Sequence, residues 1–140
     1  MILFKKKKNK VEPIQKQWKI ARNCLDLILE CAKSEYPNEF GGFLRVDADE
    51  KDTITEIVIL PGTISGDSHA IFRMNMLPVD FAIVGTAHSH PSYSARPSGA
   101  DLQLFQKHGK IHIISAKPFD EFSWKAYDYM GREIEIDVIY

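Results

Sequence analysis

The chain has 140 residues, of which 44% are apolar, 26% charged and 11% aromatic. That size and mix fit one globular domain and exclude a disordered or collagen-like chain. With 18 Lys+Arg against 19 Asp+Glu the formal charge is −1, so no global field singles out nucleic acid or an anionic membrane as partner.

At the start, Met1-Ile2-Leu3-Phe4 precedes Lys5 to Lys8, the reverse of the order a secretory signal needs. No apolar run approaches the roughly 18 residues of a membrane helix. Residues 1–12 read as a flexible basic arm, since like charges repel and stay extended, and 13–140 as the folded domain. Gln15 to about Lys33 places Trp18, Ala21, Leu25, Ile28, Leu29 and Ala32 at helical spacing, with Pro37 ending the helix. Cys24 and Cys31 lie seven residues apart on it, about 10.5 Å along the axis and beyond disulfide reach. Two plain thiols fit a cytoplasmic protein.

Phe40 to Val46 reads as a strand with a glycine pair, where Gly41 and Gly42 signal close approach of a neighbouring strand or a ligand. Thr53 to Leu60 is a second strand, Pro61 to His69 a loop, and Ile71 to Met74 a short strand. Phe81 to Ala87 is nearly all apolar, as in a strand buried on both faces, and it delivers the chain into His88-Ser89-His90-Pro91. Ser98 starts a short helix to about Lys107, followed by Gly109. Ile111 to Ser115 is a buried strand. Phe122 to Tyr129 and Glu133 to Ile139 flank Met130-Gly131-Arg132 as a hairpin. Strands in runs with two helices predict an α+β domain, a curved mixed or mostly antiparallel sheet packed against helices.

His88 and His90 leave the same face of an extended chain, about 6.6 Å apart at Cα, close enough for two imidazoles to share one ion. Asp101 can complete a three-ligand site with an open fourth position, the mark of a catalytic rather than a closed structural zinc. Imidazole and carboxylate without thiolate suit zinc and leave iron, manganese and cobalt open. Ser98-x-x-Asp101 also reads as a capping box, with the aspartate favoured by the helix dipole. Glu39 is the carboxylate best placed to take a proton from water, or else a solvated charge at a strand start. His69, in a loop, is a weaker candidate for substrate binding, while His108 at a helix end and His112 within a strand are not expected to be ligands.

The string His88-Ser89-His90, seven residues, then Ser98-x-x-Asp101, with Glu39-Phe40-Gly41-Gly42-Phe43-Leu44 upstream, resembles the JAMM (MPN+) metalloprotease motif. The likeness runs from about residue 17 to 136. It implies a JAMM/MPN-like, cytidine-deaminase-like fold. It also implies Zn²⁺ on His88, His90 and Asp101, Glu39 as general base and Ser98 as oxyanion donor. The implied reaction is cleavage after the C-terminal tail of a ubiquitin-like or small sulfur-carrier protein, the implied partner being that modifier or its conjugates. The chain is similar to the small prokaryotic stand-alone members, near the minimal core. A non-catalytic MPN-type scaffold and a RadC-like DNA-associated protein are the alternative readings. The near-neutral charge argues against nucleic acid, and the oligomeric state is not legible.

Overall fold

The computed structural model of the protein describes residues 17–59 and 80–140. The basic arm, the Pro61–His69 loop with His69, and the Ile71–Met74 strand lie outside the described residues.

Trp18 to Ala21 form a strand, β1, and not the first turn of a helix. Their burial alternates with period two: Trp18 and Ile20 are buried, while Lys19 and Ala21 are partly exposed. Helical and strand spacing coincide over four residues, and tertiary pairing decides between them. The helix α1 follows at once as Arg22–Glu35 and buries Cys24, Leu25, Ile28, Leu29 and Ala32. Cys24 and Cys31 are both free thiols, and burial pushes that of Cys24 up to about 12, which leaves it inert.

Next come β2 (Gly41–Val46) and β3 (Thr53–Val58), then β4 (Ile83–Ser89), α2 (Gly99–Lys107), β5 (Ile111–Ser115) and β6 (Trp124–Asp128). The last apolar stretch is two strands, β7 (Glu133–Ile134) and β8 (Ile136–Ile139). The sheet order is β7-β6-β5-β4-β2-β3-β1-β8. Pairing is mixed: β1 is parallel to β3 and β8, and β4 to β5, while the others run antiparallel.

β7 and β8 stand at opposite edges of this sheet, yet only Glu135 separates them. Seven inter-strand gaps at about 4.8 Å would put flat edges about 34 Å apart, and one intervening residue spans only about 7 Å. The sheet therefore curls until its edges nearly meet, a barrel-like form that leaves little open edge.

The helices take opposite faces. Leu25, Ile28 and Leu29 of α1 meet Ile20, Leu44, Ile54, Ala87, Ile111 and Ile113. Phe105 of α2 meets Ala95, Ile114, Ala116 and Tyr127, and Leu104 meets Phe43. Strands β4 and β5 lie between these layers, so β5 is buried at every residue. The parallel pair β4–β5 sets Ala87 beside Ile113 on the α1 face and His88 beside Ile114 on the α2 face. Gly109, at φ +120°, brings the chain from α2 into β5 with so little room that a Cβ would lie 2.2 Å from the Val84 carbonyl oxygen.

Candidate metal centre

β4 is flanked by β2 and β5, so its end emerges from the middle of the sheet. His88 there is 0% exposed, and His90 follows just past the strand end. Alternation turns both rings to the face that α2 covers. Asp101 is the third residue of α2 and 2% exposed, with Oδ1 3.0 Å from His88 Nε2 and Oδ2 3.0 Å from His90 Nε2. One ligand atom from each of the three residues falls within 4.8 Å of the others.

The capping reading of Ser98 and Asp101 is true as well. Ser98 N–H donates to Asp101 Oδ2 at 2.8 Å, and Asp101 N–H donates to Ser98 Oγ at 3.1 Å. The cap holds the carboxylate that faces the rings, so the two explanations describe one arrangement. Burial opposes the charge on Asp101, but the bonds from His88 and His90 outweigh it and hold its carboxyl well below the usual range.

His90 Nδ1 lies 3.0 Å from the Ser94 carbonyl oxygen. A carbonyl only accepts, so Nδ1 carries a hydrogen there, and Nε2, the nitrogen that faces Asp101, is the one left to ligate a metal when the ring is neutral. Burial works against protonation of His90, yet Asp101, the Ser94 carbonyl and the more distant Glu39 charge raise its pKa on balance.

Strand pairing brings the segment that carries Glu39 beside the end of β4. Gly41 pairs with His88, and Ser89 N–H donates to the Phe40 carbonyl at 2.9 Å. Half-buried Glu39 precedes that pairing by two residues, and its charge acts on His90. Gly42 points the other way, and a Cβ there would lie 2.9 Å from the Val58 carbonyl oxygen. Its close approach is to a neighbouring strand.

Ser89 was legible only as the spacer between two histidines. Its Oγ accepts the Phe40 N–H at 2.8 Å inside the protein, fixing the backbone next to Glu39. The signal was available in the alternation: the middle residue of an H-x-H must point to the opposite face.

His112 and His108 stand apart from the centre. His112 Nε2 lies 3.0 Å from the Gly109 carbonyl oxygen and Nδ1 2.7 Å from Thr86 Oγ1, with the ring stacked on Phe105 at 4.3 Å. Burial pushes its pKa down to about 4, so it is a neutral core imidazole. His108 caps α2, but burial and Lys107 lower its pKa, against the expectation of a cation favoured by the helix end.

The donor set suits a divalent cation: two imidazole nitrogens and one carboxylate oxygen from two elements, converging without thiolate. Among the described residues no helix is long and apolar enough to cross a membrane.

Residues 21–127 match the family of prokaryotic homologues of the JAB domain. A probable metalloprotease of Haloferax volcanii is 39% identical over 128 residues, covering 86% of this chain and 78% of that protein. A solved structure described as a JAMM metalloprotease-like zinc site in the proteasome and signalosome is 40% identical, with a TM-score of 0.70 over 89% of this chain and 99% of that one. A JAB1/MPN domain protein from Archaeoglobus fulgidus is 42% identical, also with a TM-score of 0.70, over 87% of this chain and 99% of that one. At 20% identity and a TM-score of 0.58 over 88% of this chain and 93% of that one, a protein from Desulfitobacterium hafniense shares the fold. With a domain match over most of its length and relatives this similar, the chain belongs to the prokaryotic JAB-domain branch of the JAMM/MPN family.

Proposed function

We propose that this protein hydrolyses the peptide or isopeptide bond that follows the C-terminal tail of a ubiquitin-like or small sulfur-carrier protein. The broader statement rests on the family, the Haloferax relative and the donor set: the chain is a JAMM-type zinc metalloprotease. The observation that carries the finer reading is the convergence of His88, His90 and Asp101 at one strand end, with the charge of Glu39 acting on His90.

His88, His90 and Asp101 would hold the metal. Bound Zn²⁺ supplies a Lewis acid and brings the pKa of its water to about 7. The Ser94 carbonyl fixes the His90 tautomer, and the Ser98 cap fixes the Asp101 carboxylate. Glu39 takes a proton from the attacking water and returns it to the leaving amine. Ser98 Oγ accepts from Asp101 N–H, so its own hydrogen is available to a substrate oxygen; such a donor typically contributes about 3 kcal/mol to the transition state. Two unpaired cysteines suit a cytoplasmic location.

The test measures zinc content and cleavage of a ubiquitin-like fusion by wild type, Glu39→Gln and His88→Ala. Glu39→Gln keeps zinc and loses turnover, whereas His88→Ala loses both. Retained turnover in Glu39→Gln refutes the base assignment. A wild type that binds zinc and cuts nothing supports the scaffold alternative.

A further inference from the structure

Beside the centre stands a group of side chains that the hydrolytic chemistry leaves unused. The Lys117 ammonium lies 4.9 Å from the Tyr36 ring centroid and 4.9 Å from that of Tyr93, and donates to the Tyr36 hydroxyl at 3.0 Å. Both rings are within cation–π range. That hydroxyl raises the Lys117 pKa, so the side chain stays charged. Tyr36 is 44% and Tyr93 76% exposed, so the group faces solvent.

Short links fasten it to the centre. Lys117 N–H donates to the Ser92 carbonyl at 2.8 Å, and the Ser94 carbonyl accepts from the His90 ring. Tyr93 sits between those two serines, so the same three residues bridge the cation and the metal-facing imidazole. Tyr36 is three residues before Glu39 in the turn that leads into β2. The third support is Phe119, which is 6% exposed, packs against Tyr36 at 6.0 Å between centroids and holds φ at +65°. A non-glycine residue in that region persists only where its surroundings impose it.

We infer that Tyr36, Tyr93 and Lys117 form a substrate subsite that takes an acidic side chain of the polypeptide, within a few residues of the bond cleaved. This rests on reading the centre as one that accepts a polypeptide. A fixed ammonium flanked by two aromatic walls attracts a carboxylate and repels a lysine or arginine, while the walls receive the aliphatic part of the same residue. Lys117 is thus a specificity residue, separate from the groups that hold metal or move protons.

The test uses two fluorescein-labelled peptides, identical except for Glu or Lys at the two positions after a Gly-Gly bond. Each is titrated by anisotropy against the full chain carrying Glu39→Gln, with zinc added, in low salt. The expected result is about fivefold tighter binding of the Glu peptide, the upper range for an exposed ion pair. The preference is lost in Lys117→Met, inverted in Lys117→Glu and retained in Lys117→Arg, with melting temperatures confirming that each is folded. A Glu-to-Lys ratio that Lys117→Glu leaves unchanged overturns the subsite, as does failure of the Glu peptide to bind. Hydrolysis of the same peptides by wild type reads the proposed function separately. Charge-selective binding without cleavage would sink that function and spare the subsite, and cleavage without selectivity would do the reverse.

Discussion

His112 makes the stability of this protein sensitive to mild acid. Its ring is 0% exposed and neutral, and its pKa falls from the ordinary 6.5 to about 4, chiefly through burial. His88 and His108 lie close enough to oppose its charge further. Because the folded value is below the unfolded one, the contribution is intact above pH 6.5 and is lost as pH falls toward 4. At about 1.4 kcal/mol per unit the full loss is about 3 kcal/mol, and lowering the pH from 7 to 4.5 removes about 2 kcal/mol. His112→Gln keeps an N–H able to reach the Gly109 carbonyl and does not titrate. Urea unfolding of both proteins, with chelator present so that metal loss does not enter, is compared at pH 7, 6, 5 and 4.5. The advantage of wild type over His112→Gln should shrink by about 2 kcal/mol across that range. Parallel stability curves would refute the assignment of His112 as a buried neutral imidazole.

Two other substitutions probe the supports of the centre. Ser89→Ala leaves the buried Phe40 N–H without its 2.8 Å acceptor; it should cost about 1–3 kcal/mol in urea unfolding and lower kcat with zinc content unchanged, because the slack falls beside Glu39. Ser98→Ala removes the N-cap of α2, a loss of about 1 kcal/mol, and an unchanged unfolding midpoint would show that the cap is idle. Ser98→Thr should restore the stability.

What was legible in the sequence came from local pattern. β4 and β5 are apolar on both faces because both faces are covered, and Ser98-x-x-Asp101 announces the start of α2 by its capping chemistry. The rings of His88 and His90 fall together through simple alternation, and Asp101 through its place in the first helical turn. What escaped depends on partners far along the chain. β1 is four residues whose strand character comes from lying between β3 and β8. The break at Glu135 has no glycine or proline to mark it; it exists because Ile134 and Ile136 pair with β6 and β1 at opposite edges. The Lys117–Tyr36 contact joins residues 81 positions apart, so no window of sequence displays it.

Glu135 also sets how the molecule comes undone. One short ribbon, residues 133–139, furnishes the outermost strand on both flanks, so it works as a clasp for the whole cylinder. Shortening the chain to residue 132 would strip β6 and β1 of a neighbour in one stroke and offer two templates to other copies. Such a truncated protein should assemble into larger particles visible by light scattering, even though its metal-facing side chains all remain.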